Sequence, residues 1–146
     1  KNVITSEDLP FIIADVMESR EYQHVELLNC DINTGLDAGS NVSLTVVIDG
    51  EEQQGSGVGN GGFDAFMDAI TKVLLKNEFA MPMLQDYEVH IPRGGKTDAL
   101  TECIITWQSD DKDFKTRGVD SNQVMAAVKA TLRMINIKLH AESSAR

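Results

Sequence analysis

Two hydrophobic rhythms alternate along the chain, and the alternation happens twice. In residues 6–19, Leu9, Ile12, Ile13 and Val16 recur at helical spacing behind a Thr5/Asp8 capping arrangement, which predicts a short helix. After the polar stretch ESREYQ, three strands are expected: VELLNCDI (25–32), NVSLTVVID (41–49) and a partner near 51–58. Asp49-Gly50 joins the last two as a two-residue hairpin, since both residues accept the positive φ such turns need. The period then lengthens. Phe63, Phe66, Met67, Ile70, Val73 and Leu74 form a helical stripe, with Asp64, Asp68, Thr71 and Lys72 on the other face.

The same order then repeats. YEVHI (87–91), LTECIITWQ (100–108) and DFKTRGV (113–119) read as strands, and a helix over about 121–140 carries Val124, Val128, Thr131, Ile135 and Leu139 along one side. A displacement of 61 residues lays Val42–Gly57 on Cys103–Gly118 without a gap, which marks an internal duplication. The expected fold class is α+β: two βββα units, about 23–79 and 83–140, preceded by a helical linker segment in residues 1–22. One helix cannot stabilise a lone three-stranded sheet, so the units are expected to pack around a pseudo-two-fold axis with a site between them. Because the chain begins at Lys1 with a helix signal close behind, it reads as a piece of a longer polypeptide.

At 146 residues the chain is long enough to bury a core without disulfide staples. Thirteen basic against twenty-three acidic residues give a net charge of -10, which argues against nucleic acid or an anionic membrane as partner. No apolar run approaches the roughly 20 residues of a membrane span, and no signal segment opens the chain, so a cytoplasmic location is expected. Cys30 and Cys103 stand far apart in apolar strand-like runs and read as buried small hydrophobes in a reducing compartment. His24, His90 and His140 are isolated, and no metal-ligand spacing occurs.

Candidate chemistry concentrates in glycine. Gly57-x-Gly59-x-x-Gly62 has the spacing of a dinucleotide fingerprint, but the strand before it belongs to an antiparallel hairpin, and the acid at the expected distance, Asp86, opens the next strand instead of ending it. Pro92-Arg93-Gly94-Gly95-Lys96-Thr97 ends like a phosphate-binding loop, yet the required first glycine falls at His90. Two readings stay open for these segments: tight turns in which glycine supplies positive φ, or an anion-binding corner in which Gly59–Gly62 and the first helical turn present backbone N–H groups.

GNGGFDAFMDAI, DYEVHIPRGGKTDAL and TRGVDSNQVMAAVKATLRMI together resemble the C-terminal regulatory domain of 2-isopropylmalate synthase and citramalate synthase. SEDLPFIIADV resembles the segment that joins this domain to the catalytic barrel. The resemblance implies an allosteric, homodimeric domain that binds the end-product amino acid, leucine or isoleucine, with no catalytic residues and no cofactor of its own. A divalent metal and acetyl-CoA would belong to a catalytic TIM barrel elsewhere in the polypeptide, since such a barrel needs about 250 residues. The family's effector positions fall on Asn60, Gly61, Gly62, Phe63, Asp64, Leu84, Tyr87, Ile91, Thr97, Ala99 and Thr101, with Ser121 and Gln123 at the start of the last helix.

Some of these positions have a role that free amino-acid chemistry would use. The glycine corner suits an α-carboxylate, Asp64 an α-ammonium, and Leu84, Tyr87 and Ile91 an aliphatic side chain. Equally, Asp64 is an ordinary first-turn acid, and the other three are ordinary residues of an alternating strand. Gly62, where many members have proline, and Asp120 in the Gly118-Val119-Asp120 segment depart from the family pattern. Ile91 with Phe63 leans the reading toward isoleucine. A purely structural dimerisation module is the alternative.

Overall fold

Three antiparallel strands, β1 (Val25–Gly35), β2 (Gly39–Ile48) and β3 (Glu51–Gly59), pair in the order β1-β2-β3 and lead into helix α1 (Gly62–Lys76). The same sequence of elements follows as β4 (Met83–His90), β5 (Thr101–Ser109), β6 (Lys112–Asp120) and α2 (Gln123–Ser144), again with the middle strand central. The computed structural model describes residues 23–36, 39–91, 100–109 and 112–144; the expected helix at 6–19 and the loop with Thr97 and Ala99 lie outside them. The chain thus holds two βββα units, His24–Met81 and a second beginning at Pro82.

The strands alternate as a sheet with one covered face should. In β2, Val42, Leu44 and Val46 are buried while Asn41 and Ser43 face out; in β5, Cys103, Ile105 and Trp107 are buried between half-exposed neighbours. The β2–β3 hairpin turns at Asp49 (φ 48) and Gly50 (φ 88), the two left-handed residues that the Asp-Gly pair announced.

The duplication extends beyond the segment that aligns without a gap. Val42 pairs with Gly57 and Cys103 with Gly118, the same register 61 residues apart. Both first strands also carry a bulge at the equivalent place, between Leu27 and Asn29 in β1 and between Leu84 and Asp86 in β4. The extra residue reverses the facing of the strand beyond it. Leu84 and Tyr87, three apart, therefore share the half-buried inner face, with Gln85 and Asp86 exposed between them.

Each helix docks where glycine removes the side chain beneath it. A Cβ at Gly57 would lie 2.5 Å from the Ala65 carbonyl oxygen and 2.4 Å from the Ala69 nitrogen. At Gly118 the corresponding distances are 2.0 Å to the Ala126 oxygen and 2.6 Å to the Ala130 nitrogen. Ala65, Ala69, Ala126 and Ala130 are all fully buried. This explains why the buried face of α1 includes two alanines absent from the expected apolar stripe, while Phe63 and Met67 of that stripe are only half-buried. The glycine-turn reading fails here: left-handed glycines occur at Gly39 and Gly50, whereas Gly57, Gly59, Gly61 and Gly118 serve without positive φ.

Polar ties fix each helix to its edge strand. In the first unit Asp68 accepts the Val58 N–H at 3.0 Å and pairs with Lys72 at 2.9 Å, while Asn77 and Gln53 exchange two amide hydrogen bonds at the far end of α1. In the second, the buried Thr116 hydroxyl accepts the Trp107 indole N–H at 2.9 Å and donates to the Ala130 carbonyl at 2.7 Å. Helix α1 ends in a Schellman arrangement, with Phe79 N–H on the Leu74 carbonyl, Glu78 N–H on the Leu75 carbonyl and Glu78 left-handed at φ 62.

Candidate functional site

The expected site residues fall on both units. In the first, Asn60 to Asp64 form the corner between β3 and α1. Its shape follows from Gly59, where a Cβ would sit 2.6 Å from the Ala65 nitrogen, so the strand end can pass over the first helical turn only as bare backbone. Gly61 is the N-cap, extended at φ -137, and α1 begins with no side-chain cap. Asn60 and Asp64 are exposed, and Phe63 is half-buried with its ring 6.2 Å from that of Phe66. A helix start with its N–H groups and positive dipole end turned toward bare glycine backbone suits a small anion.

The corresponding corner of the second unit is built differently. The Asn122 side chain caps α2 by accepting the Met125 N–H at 3.0 Å, and Asp120 accepts the Asn122 N–H at 2.8 Å. Lys129 pairs with Asp120 at 2.9 Å, and this bond, with that from Asn122, holds the Asp120 carboxyl below its ordinary value. This corner already contains its own carboxylate. Ser121 and Gln123, expected at the effector site, are exposed beside it.

Within the second unit the fold brings Tyr87 and Gln123 together, although they are far apart in sequence. The Gln123 amide donates to the Tyr87 hydroxyl, which in turn donates to the Cys103 thiol, and partial burial raises the Tyr87 phenol above its ordinary value. Burial pushes the Cys103 thiol up to about 11. Cys103 carries no candidate signal in the sequence beyond its place in an apolar strand, so its contact with Tyr87 was not legible there. Leu84 lies half-buried on the same strand face as Tyr87, Thr101 is buried at the start of β5, and Ile91 stands 70% exposed just past the end of β4. Ile91 is thus not part of the inner face that holds Leu84 and Tyr87, because β4 ends one residue earlier.

Helix α2 packs on β5 and β6 and α1 chiefly on β2 and β3, which leaves the first strand of each unit less covered. Leu27, Cys30 and Ile32 of β1 are half-buried, as are Leu84, Tyr87 and Val89 of β4. Cys30 therefore departs from the fully buried position expected of it, whereas Cys103 is buried. An open concavity of about 860 Å³ lies within the first unit along Ser43, Thr45, Gln54, Gly55, Lys72 and Lys76, and contains none of the expected effector residues. That concavity is lined by all three strands and the C-terminal half of α1, away from the helix start where unpaired N–H groups gather. Among the described residues no cluster of three or more His, Cys, Asp or Glu could hold a metal ion, and no helix is long and apolar enough to cross a membrane.

Two βββα units joined in one chain define an α+β domain, the first helix starting at a glycine corner and the second at a corner closed by Asp120 and Asn122. The family model described as the LeuA allosteric (dimerisation) domain matches residues 3–139, and the chain belongs to that family. It is 32% identical over 134 residues, 92% of its length, to an Archaeoglobus fulgidus protein whose name marks it as an unproven (R)-citramalate synthase. It is also 29% identical over 137 residues, 93% of its length, to the 2-isopropylmalate synthase of Aquifex aeolicus. The chain covers 27% of the first relative and 25% of the second.

Proposed function

We propose that this domain binds a free branched-chain amino acid, isoleucine or leucine, and regulates by feedback a 2-isopropylmalate or citramalate synthase of which it is part. The observation that carries the reading is the contrast between the two helix starts. The α2 corner is closed by Asn122 and by its own Asp120 carboxylate, while α1 starts at Gly61 with no side-chain cap. An α-carboxylate at the α1 corner would take the place that Asp120 fills in the other unit. A helix terminus contributes about 0.3–1 kcal/mol to such an anion and up to about 2 kcal/mol when partly buried.

Asp64, exposed in the first turn, offers a carboxylate to an α-ammonium. The half-buried Leu84 and Tyr87 offer apolar surface of the kind an aliphatic side chain needs. Leucine and isoleucine differ by the position of one methyl, a distinction worth roughly 1–3 kcal/mol in an apolar pocket. Acetyl-CoA, a divalent metal and the 2-oxo acid belong, in this reading, to a catalytic barrel in the same polypeptide.

Calorimetry and thermal-shift measurements with isoleucine, leucine and valine test the proposal. Saturable binding of one of the first two, at an affinity that Tyr87→Ala reduces, is expected. No response to any of them at millimolar concentration would refute it. The family description also names dimerisation, and a homodimer is expected in either case. If Tyr87→Ala changes assembly alone in the full-length synthase and leaves its amino-acid response intact, the domain is a structural dimerisation module instead.

A further inference from the structure

The same corner contains a bond that can change covalently without any enzyme. Asn60 is the one asparagine of the chain followed by glycine. Its side chain is exposed, and among the described residues neither the Asn60 carboxamide nor the Gly61 N–H makes a hydrogen bond; Gly61 takes part only through its carbonyl, which accepts the Ala65 N–H at 3.0 Å. A Cβ built on Gly61 would meet nothing within 4 Å. The Gly61 nitrogen is thus unprotected, unshielded by a side chain of its own, and adjacent to an unrestrained carboxamide.

We propose that Asn60 is a site of spontaneous deamidation that places a negative charge at the α1 corner. The Gly61 amide nitrogen attacks the Asn60 side-chain carbonyl carbon and forms a new C–N bond. The bond from that carbon to the side-chain nitrogen breaks, and ammonia leaves with the proton given up by Gly61. Water then opens the resulting succinimide at either carbonyl, giving aspartate or isoaspartate at position 60. No oxidant or reductant takes part.

The other described asparagines are followed by residues with side chains, and several are held. Asn33 and Asn41 face each other across the β1–β2 ladder. Asn77 is engaged by Gln53 and by the Val73 carbonyl, and Asn122 by Met125. Asn136 is 8% exposed.

A carboxylate at position 60 sits one residue before the N-cap, where the helix dipole favours it. It would give the first corner what Asp120 gives the second, an internal anion. The consequence for ligand binding rests on the amino-acid reading above; the modification itself does not.

Peptide mapping by mass spectrometry after incubation of the folded chain in mildly alkaline buffer tests the proposal. Residue 60 should convert from amide to acid before any other asparagine, with an isoaspartyl product among the fragments. Gly61→Ala fits the extended backbone and the open space there, and should suppress conversion while circular dichroism stays unchanged. If that variant does not fold, Asn60→Gln serves, because its longer side chain closes the competing ring poorly. Conversion of other asparagines first, or equal conversion in Gly61→Ala, overturns the proposal. Asn60→Asp mimics the product and should lose affinity for the amino acid that the unmodified chain binds; equal affinity overturns the assigned consequence. If the unmodified chain binds no amino acid, the functional reading fails while the mass measurement still decides the modification.

Discussion

The close contact between strand and helix gives the sharpest test of the packing, because an added methyl would meet different atoms at each of four glycines, three in strands and one at a helix N-cap. At Gly118 the methyl carbon would lie 2.0 Å from the Ala126 oxygen and 2.6 Å from the Ala130 nitrogen, and at Gly57 it would lie 2.5 Å and 2.4 Å from the equivalent atoms. These are backbone atoms inside a helix and cannot turn aside, so the helix as a whole must lift. Overpacking of a core costs roughly 1–3 kcal/mol and occasionally more, and rigid neighbours place both alanine variants at about 3 kcal/mol. At Gly55 the nearest atom is the Val73 Cγ2 at 2.3 Å, with the next at 3.4 Å. Rotation of that side chain off its rotamer costs about 1 kcal/mol, so Gly55→Ala should be milder. Gly61→Ala meets nothing within 4 Å. There the poorer N-cap and the stiffer unfolded chain offset each other to within about 0.5 kcal/mol.

Urea unfolding of the four variants reads this order directly. Trp107, the single tryptophan, lies in the unit with Gly118, so its fluorescence follows that unit, while circular dichroism follows both. For a unit of this size each kilocalorie moves the melting temperature by about 4–8 °C, so Gly118→Ala should lower it by more than about 10 °C. The reasoning is refuted if Gly57→Ala and Gly118→Ala are no less stable than Gly61→Ala, or if Gly55→Ala is the worst of the set.

Thr116→Val keeps the shape of the core but strips the hydroxyl from between Trp107 and the Ala130 carbonyl; leaving the buried indole N–H unpaired should cost about 1–3 kcal/mol, read by unfolding followed through Trp107 fluorescence. The Asp120 carboxyl is held below its ordinary value of 3.8 chiefly by Lys129, so the stabilisation is complete above that value and is lost as the pH falls through it toward the folded value. Asp120→Asn should therefore be less stable than wild type at neutral pH and show a shallower loss of stability on acidification below about pH 4, measured by urea unfolding across that range. Cys103 is buried with its thiol near 11, and Cys30 is half-buried with its thiol raised by burial, so a thiol reagent at pH 8 should label Cys30 slowly and Cys103 only on unfolding.

The order of elements was legible because each carries its own period, and the 61-residue displacement tied the halves together. Asp49-Gly50 located the hairpin through the chemistry of its turn. The bulges were not legible: an extra residue leaves no mark in composition, and so Leu84 and Tyr87, at an odd spacing, end on one strand face. The end of α1 was hidden as well, since its left-handed residue is Glu78 and not the glycine that usually announces such a cap. At the candidate site the glycines stood out as a motif, but their reason did not. Gly57 and Gly59 look like turn residues in sequence and prove to be places where the helix lies against the strand backbone.

The two corners differ in charge because the polar tie between helix and edge strand has opposite polarity in the two units. Asp68 and Lys129 occupy equivalent positions, as do Val58 and Val119. Asp68 accepts the Val58 N–H, and Lys72 neutralises it within the helix. Lys129 instead donates to the Val119 carbonyl and so needs an anion nearby, which Asp120 supplies. Asp120 stands where the first unit has Gly59. No side chain is possible at Gly59, because a Cβ there would lie 2.6 Å from the Ala65 nitrogen and 2.7 Å from Asp64. The first corner therefore cannot close itself from that strand position as the second does: its own carboxylate, Asp64, stands on the helix, and an anion on the strand side has to come from a changed Asn60 or from outside the chain.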